Sequence, residues 1–325
     1  MTTIALIGAG QIGSRHLQAI SMIDRPVSVQ VVDPDALSLR VAEERYQQCP
    51  KSSNVLRVDF LSSISELSEN LDFVIIATGA NVRRLVLETL LAQKKVRYLI
   101  LEKFLFQRNE DLFFVKGLLQ DAGIRTWVNC PFRMVPFYKV LKGRLKGATK
   151  LDYRVSGSLI GIGCNAIHYV DMLAYFSGQT EFEFGNHALD REIIPSKRPD
   201  FIEFTGTLLG ATREGTRFAL TSFASGNAPV VISIVTDSLH CIIREHEAKC
   251  LISEASTNWQ WREEEFAIPY QSQLTHLAVQ DILSTGDCDL PSYEESSRLH
   301  SQLLQVFSKH LKQNAVMEDN LCPIT

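Results

Sequence analysis

Long apolar runs are absent from this sequence, and so are cysteine pairs with metal-binding spacing. No run approaches the roughly 20 apolar residues that a membrane-spanning helix needs. No charged segment followed by a cleavable apolar stretch precedes the first predicted strand. The 7 cysteines form no CxxC pair, and their odd number leaves at least one outside any intrachain disulfide. We therefore expect a cytoplasmic protein with reduced thiols and no membrane partner.

A large excess of charge of either sign is also missing. Lysine and arginine total 33 against 37 aspartates and glutamates, which gives a formal net charge of −4. This balance gives no sign of a nucleic-acid partner. With 325 residues and 45% hydrophobic content, the chain is long enough for two domains that each have a core.

The most informative motif lies close to the N-terminus. The apolar run Ile4–Ile7 leads into Gly8-Ala9-Gly10-Gln11-Ile12-Gly13, and a second apolar run ends at Asp33, 20 residues after Gly13. In a strand–turn–helix unit, such glycines allow a tight turn and let a pyrophosphate approach the free N–H groups of the helix. Asp33 would accept hydrogen bonds from the adenine ribose and repel a 2′-phosphate, so NAD is favoured over NADP. The loop residues predicted to bind the cofactor are Gly8, Gly10, Gln11, Ile12 and Gly13.

Apolar strands alternate with amphipathic helical stretches over residues 1–130. The alternation predicts a doubly wound parallel sheet covered by helices on both faces, which is a complete Rossmann domain. The predicted strands are Thr3–Ile7, Val27–Val32, Val55–Val58, Phe73–Ala77, Tyr98–Leu101 and Thr126–Val128.

The residues that directly follow these strands are candidate ligand contacts, because ligands of such sheets bind outside the carboxyl ends of the strands. Thr78 and Asn81 lie in a turn that could donate to the nicotinamide end, although a turn with an Asn cap fits equally well. Glu102 and Lys103 follow the fifth strand. A lysine there can orient nicotinamide and substrate, and a lysine that only marks the exposed strand end is the alternative.

Residues 131–325 have a different pattern. It predicts an α+β domain with an open, mainly antiparallel sheet covered on one face by the helices Asn165–Phe176, Gln271–Leu283 and Tyr293–Lys312. The segment Glu181–Pro199 is predicted to be an irregular loop bordering a pocket. The predicted strands are Leu151–Ser158, Phe201–Leu209, Arg217–Ser222, Val230–Thr236, Leu239–Arg244 and Ala248–Ile252.

One predicted helix in this region carries groups suited to chemistry. Cys164, His168 and Asp171 share a helix face because they are four and three residues apart. An imidazole suits proton transfer near neutral pH, and a core histidine paired with an aspartate is the alternative. No metal site is expected, since no further His or Cys has supporting spacing. Arg133 could pair with a substrate carboxylate or phosphate, or form an ordinary ion pair.

Together these motifs resemble the Gfo/Idh/MocA family, the glucose-fructose oxidoreductase and inositol dehydrogenase group. The resemblance spans nearly the whole chain, with the motifs in family order. The matching residues are the glycine loop with His16, Ala77-Thr78, Glu102-Lys103-Phe104 where the family usually has Glu-Lys-Pro, His168 with Asp171, and the closing stretch Gln273-Leu274, Ile282, Gly286 and Leu290-Pro291-Ser292.

This resemblance implies NAD(P)-dependent oxidation or reduction of a secondary alcohol or ketone on a sugar, sugar acid, cyclitol or nucleotide sugar. By this likeness, Lys103 would bridge cofactor and substrate hydroxyl, and His168 would transfer the proton. The second domain would bind substrate and form a homodimer or homotetramer through its open sheet. The residues predicted to bind substrate are Asn165, Asp171, Arg133 and Cys164.

Two positions depart from the family pattern. Family members that act on polyols often have an aspartate four residues before the histidine, where this chain has Cys164. Phe104 replaces a proline that often follows a cis peptide bond. Because a non-proline cis bond costs roughly 3 kcal/mol, we expect a trans bond here. These departures motivate two alternatives: a catalytically altered NAD-binding sensor or regulatory protein, and a reductase for a non-sugar planar substrate.

Overall fold

The computed structural model describes residues 1–148, 150–314 and 321–325. The strands in chain order are β1 (Thr2–Ile7), β2 (Val27–Val32), β3 (Val55–Leu61), β4 (Asn70–Ile76), β5 (Lys95–Leu101), β6 (Arg125–Val128), β7 (Asp152–Ser158), β8 (Glu183–Gly185), β9 (Ile194–Pro195), β10 (Ile202–Glu203), β11 (Gly206–Ala211), β12 (Arg217–Phe223), β13 (Val231–Val235), β14 (Leu239–Arg244), β15 (Lys249–Glu254) and β16 (Arg262–Glu265). The α-helices are α1 (Gln11–Ile20), α2 (Ala36–Gln47), α3 (Arg83–Gln93), α4 (Asn109–Asp121), α5 (Pro136–Arg144), α6 (Ile162–Ser177), α7 (Thr275–Thr285) and α8 (Tyr293–Asn314).

The chain divides into two compact units, each built from separate stretches of sequence. The first unit contains Met1–Phe106, Glu110–Pro131 and Pro269–Tyr293. The second contains Gln107–Asn109, Phe132–Ile268 and Glu294–Thr325. The sequence placed all of 131–325 in one domain, but the segment Pro269–Tyr293 packs with the first unit.

The first unit contains the expected parallel sheet. In the described part of the chain, six parallel strands are ordered β3-β2-β1-β4-β5-β6. The central strands are apolar along their length because helices cover both faces, and Ile4, Leu6, Phe73 and Ile75 are fully buried. The six predicted strands are all present, and the Rossmann fold is confirmed.

Helix α7 belongs to the first unit and packs against α1. Its buried apolar residues are Ala278, Val279 and Ile282. Farther along the same segment, the carbonyl of Pro291 accepts a hydrogen bond of 3.0 Å from the backbone N–H of Val128, at the end of β6. The prediction that Gln271–Leu283 covers the second sheet is therefore wrong, because the apolar face of this helix is buried in the first unit.

The second unit contains the mainly antiparallel sheet that the sequence predicts. Its strands are ordered β16-β15-β14-β13-β7-β12-β11-β8, and only the β7–β12 pair is parallel among the described residues. Alternate residues such as Ile232 and Ile234 point into the core, as expected for a half-buried sheet. Phe204 stacks on Phe307 of α8 with ring centroids 4.8 Å apart.

Two local predictions differ from the structure of this unit. The predicted strand Phe201–Leu209 is split into β10 and β11, because Gly206 has a φ of +86° and a Cβ there would lie 2.6 Å from the backbone nitrogen of Asp190. The predicted loop Glu181–Pro199 contains the short strands β8 and β9. Among the described residues, no helix is long and apolar enough to cross a membrane.

Candidate functional site

The glycine loop joins β1 to α1 with very little space between them. Gly8 has a φ of +98°, and a Cβ on Gly13 would lie 1.9 Å from the carbonyl oxygen of Gly8, so no larger residue fits there. A Cβ on Gly10, in contrast, would meet no atom within 4 Å. Gly10 precedes α1 without a side-chain cap, which leaves the first N–H groups of the helix available to an anion. This cradle fits a dinucleotide pyrophosphate.

Asp33 lies at the carboxyl end of β2 beside this loop. Its carboxylate accepts hydrogen bonds from the backbone nitrogens of Ala9 at 2.7 Å and Asp35 at 2.9 Å. The side chain remains half-exposed. The predicted ribose clamp is thus anchored to the glycine loop itself. Gln11 is exposed and Ile12 half-buried at the start of α1.

A buried arginine joins the turns that follow β4 and β5. Arg83 is only 1% exposed. Its guanidinium donates to the carbonyl oxygens of Thr78, Phe104 and Leu105, the last at 2.7 Å. The buried hydroxyl of Thr78 has no hydrogen-bond partner among the described residues, which leaves a polar group for a ligand at this edge. Asn81 is exposed, and Val82 rather than Asn81 precedes α3.

The peptide bond between Lys103 and Phe104 is cis. The expectation of a trans bond is therefore wrong. The Phe104 side chain is fully buried, and its carbonyl is one of the Arg83 acceptors, so local packing and hydrogen bonding surround the bond. Lys103 itself is half-buried.

Glu102 is buried, and its Oε1 atom accepts hydrogen bonds from Nε2 of His16 at 2.8 Å and from Nδ2 of Asn129. Burial raises the pKa of this carboxyl. The hydrogen bond and attraction of His16, the charge of Lys103 and the Asn129 hydrogen bond lower it by more, so the pKa lies below its ordinary value. Glu102 is an ionised group engaged inside its own unit, and its cofactor-binding role stays a prediction.

Helix α6 of the second unit carries the predicted proton-transfer residue. Gly161 precedes the helix with a φ of +76°. The carboxylate of Glu203 accepts from the backbone nitrogens of Gly163 at 2.7 Å and Cys164 at 3.2 Å, which caps the helix start. His168 lies with its ring centroid 5.4 Å from that of Phe132. Its catalytic role stays a prediction.

Arg133 and Asp171 are brought together, but they bind each other. The guanidinium of Arg133 donates to both oxygens of Asp171 at 2.8 and 2.7 Å, and to Glu295 at 2.6 and 3.2 Å. Burial raises the pKa of Asp171 to about 6 despite the attraction of Arg133. Both groups are thus engaged within the second unit, and their predicted contact with substrate would require new hydrogen bonds.

Cys164 and Asn165 both line a cavity of about 260 Å³ within the second unit. The Nδ2 atom of Asn165 also donates to the carbonyl of Ile160 at 2.6 Å. The segment Ile194–Arg198 borders the cavity, which agrees with the pocket expected beside Glu181–Pro199. Phe204, Thr205 and Ser222 also line it.

Sequence reasoning missed Arg83, Glu203, Gln271 and Thr275. The sequence around Arg83 has the pattern of an ordinary polar position on a surface helix. Glu203 follows an apolar residue in a predicted strand, and neither pattern indicates a buried contact. Nothing in the local pattern of Gln271 or Thr275 indicates contact with α1, which precedes them by about 250 residues. His16 and Glu102 were both part of the family resemblance, but the hydrogen bond between them was not predicted.

Among the comparisons with known proteins, the match to a family model falls in the first 130 residues. Residues 2–130 match the family model described as "Oxidoreductase family, NAD-binding Rossmann fold". The search of curated protein sequences gave no match.

Solved structures with the same fold cover nearly the whole chain. An oxidoreductase from Agrobacterium radiobacter in complex with NAD⁺, L-tartaric acid and magnesium is 16% identical, with a TM-score of 0.70 and coverage of 96% of this chain and 97% of that one. A mutant of KijD10, a 3-ketoreductase from Actinomadura kijaniata in complex with TDP-benzene and NADP, is 14% identical, with a TM-score of 0.70 and coverage of 97% and 98%. The transcriptional regulator Gal80p from Kluyveromyces lactis is 14% identical, with a TM-score of 0.71 and coverage of 96% and 93%. At these identities the likeness shows the fold.

Replacing Glu102 by Gln should destabilise the first unit in a pH-dependent way. Because the folded-state pKa is lowered, the ionised carboxylate contributes stability above the unfolded pKa of about 4.3, and this contribution is lost as the pH falls through the folded value. We expect a loss of about 1–3 kcal/mol near neutral pH that shrinks below about pH 4. Urea unfolding at several pH values measures it, with Glu43→Gln, an exposed change on α2, as control. A loss independent of pH would contradict the assignment.

Proposed function

We propose that this chain, whose residues 2–130 match the Gfo/Idh/MocA oxidoreductase family model, oxidises or reduces a secondary alcohol or ketone on a carbohydrate-like substrate with NAD(P). One observation carries the proposal. The glycine cradle, Asp33, the Thr78 turn and the Lys103 turn all follow parallel strands of one sheet, so they share the edge where such sheets bind ligands. Bound NAD(P) would supply or accept a hydride at its nicotinamide.

The roles proposed for the chain's own residues follow from their chemistry. The N–H groups at the start of α1 bind the pyrophosphate, and Asp33 binds the adenine ribose. Lys103 binds nicotinamide and the substrate hydroxyl. His168 takes up or supplies the hydroxyl proton, for which an imidazole is suited near neutral pH.

The cavity beside α6 supports a small polar substrate. Its lining residues include the apolar Ile160 and Phe204 and the hydroxyl-bearing Ser196 and Thr205, of which Thr205 donates its hydroxyl to Asp190 at 2.7 Å. A sugar also presents apolar faces and hydroxyl groups. L-tartaric acid and TDP-benzene are ligands of two similar structures, which supports a hydroxylated or nucleotide-linked substrate.

A regulatory protein of the same fold is the second candidate. The observation that favours it is Cys164, a thiol in the cavity at the position where polyol-acting family members often carry an aspartate. The likeness to the transcriptional regulator Gal80p shows that the fold also occurs in a regulator. Such a protein would bind NAD(P) without turnover.

Replacing Lys103 by Met and His168 by Ala tests the enzymatic proposal. Each variant should lose roughly 10²–10⁴-fold in turnover, since each removes a positioned proton-transfer or orienting group. Binding of NAD should change little because the glycine loop is intact. Absorbance of the nicotinamide band measures turnover across sugars, sugar acids, cyclitols and nucleotide sugars. Lys95→Met and His246→Ala, both exposed, are the matched controls.

The outcomes separate the two candidates. Full activity in both variants would show that the roles proposed for Lys103 and His168 are wrong. Tight NAD binding by the wild-type protein with no turnover on any substrate would favour the regulatory candidate.

Replacing Asp33 by Ser should shift the cofactor preference from NAD toward NADP. The change removes acceptors for ribose hydroxyls and a charge that repels the 2′-phosphate. A charged hydrogen bond contributes about 1.5–3 kcal/mol, so the ratio of the two dissociation constants should change by about 10-fold or more. Fluorescence titration with NADH and NADPH measures both constants. Asp35→Ser, which keeps a capping residue before α2, should leave the ratio unchanged.

We further propose that copies of the chain associate through the open face of the second sheet, as the family resemblance implies. Half-buried Ser233, Ile242 and Leu251 alternate with buried residues on this sheet. Ile242→Glu should convert a dimer or tetramer to monomers, because it places a charge in an apolar interface. Light scattering after size-exclusion chromatography measures the mass, with Leu56→Glu, an exposed change on β3, as control. A monomeric wild-type protein would overturn this proposal.

A further inference from the structure

A closed ring of side-chain hydrogen bonds includes Glu102, the residue that precedes Lys103. Its five members come from separate parts of the first unit: His16 from α1, Glu102 from the end of β5, Asn129 from the end of β6, and Gln271 and Thr275 from the segment that returns to this unit. Four of the five side chains are buried, and Gln271 is half-buried.

The direction of the hydrogen bonds to Glu102 follows from its charge. An ionised Glu102 can only accept, so Nε2 of His16 and Nδ2 of Asn129 donate to it. The second proton of the Asn129 amide reaches Oε1 of Gln271 at 3.1 Å.

The remaining hydrogen bonds close the ring. Nε2 of Gln271 donates to the Thr275 hydroxyl at 2.8 Å. The Thr275 hydroxyl is hydrogen-bonded to Nδ1 of His16 at 2.8 Å, a shorter contact than its 3.4 Å distance to the Gln271 carbonyl. Nε2 of Gln271 also lies 3.5 Å from Oδ1 of Asn129. Removing the Thr275 hydroxyl therefore breaks the route through His16 from the returning segment to Glu102 and leaves the route through Asn129.

The residue next to Glu102 is Lys103, the lysine to which the proposed function assigns the nicotinamide and substrate contacts. On the other side of Lys103, the carbonyls of Phe104 and Leu105 accept from Arg83. Buried groups therefore form hydrogen bonds on both sides of Lys103. The ring residues bind Glu102, and Arg83 of α3 binds the carbonyls of Phe104 and Leu105.

We propose that Gln271 and Thr275 are positioning residues for Lys103, acting through His16 and Glu102. This inference rests on the proposed function. A misplacement of about 1 Å can cost 10²-fold in rate, so a small movement of the turn is sufficient to reduce turnover. The alternative is a purely structural ring, which satisfies buried polar groups and leaves the reactivity of Lys103 unaffected.

The experiment compares Thr275→Val with Thr275→Ser and the control Thr285→Val. Valine keeps the shape of Thr275 but removes both hydrogen bonds, whereas serine retains the hydroxyl. Thr285 is on the same helix and is exposed; its hydroxyl donates to the carbonyls of Asp281 and Asp287 and accepts from the backbone N–H of Asp287, all outside the ring. Gln271→Met, at a half-buried position, is the second variant if Thr275→Val does not fold.

The first readout needs neither cofactor nor substrate. Competitive labelling with acetic anhydride gives the reactivity of Lys103 relative to exposed Lys95 in the same protein. We expect the ratio to change by about threefold or more in Thr275→Val and Gln271→Met, and to be restored in Thr275→Ser, because only the first two break the ring. Thr285→Val should match the wild type.

The second readout is turnover on the substrate found by the nicotinamide-band screen. In Thr275→Val, kcat should fall about 10- to 100-fold while the dissociation constant of NAD stays within about twofold, because the glycine cradle is untouched. Thr275→Ser should keep most of the wild-type kcat.

An unchanged labelling ratio in both ring variants overturns the inference, whatever the turnover. A changed ratio with wild-type kcat also overturns it, since Lys103 would then move without consequence. If the wild-type protein shows no turnover at all, the proposed function fails, and the labelling ratio alone decides whether the ring holds Lys103.

Discussion

The burial of one carboxylate, Glu102, constrains the architecture of the first unit. Removing an ionised carboxylate from water costs several kcal/mol unless hydrogen bonds replace its hydration. Strand β5 supplies none of the side chains that do so. Instead, α1 supplies His16 and β6 supplies Asn129, while Gln271 and Thr275 orient these two donors. The segment Pro269–Tyr293 therefore belongs to the first unit through the hydrogen bonds of Gln271 and Thr275 as well as through the apolar packing of α7 on α1.

The glycine loop contributes to the same constraint. His16 reaches Glu102 only if α1 lies close to the sheet, and the 1.9 Å separation between the Gly8 oxygen and a Cβ on Gly13 shows how little room there is. The motif that makes the phosphate cradle thus also places the histidine one turn later. A substitution at Gly13 would disturb the proposed cofactor contacts and the satisfaction of a buried charge together, which links stability of the fold to cofactor binding.

The parts predicted from the sequence are those with local patterns. The six strands, the glycine loop and Asp33 follow from apolar periodicity and fixed spacing, so they could be placed without tertiary information. Arg83 could not, because a guanidinium on a surface helix becomes buried only when two turns bring carbonyl groups to it. Thr275 lies 259 residues from His16, and no periodic signal reports such a contact. The cis bond at Phe104 was likewise mispredicted, because the buried surroundings of Phe104 and the hydrogen bond from Arg83 to its carbonyl are tertiary features that no local pattern reports.

In the second unit, the predicted site residues Arg133 and Asp171 have to be considered separately from Cys164. Arg133 and Asp171 satisfy each other and Glu295, so these charges are balanced before any ligand arrives. At the start of α6, the Glu203 carboxylate accepts from the helix N–H groups, and Cys164 is one of the residues that line the cavity. Glu102 is the neighbour of Lys103 in the sequence, and the two side chains interact electrostatically. The charge of Lys103 is one of the causes that lower the pKa of Glu102. Since that attraction is mutual, the buried ring contributes to the charge environment of Lys103.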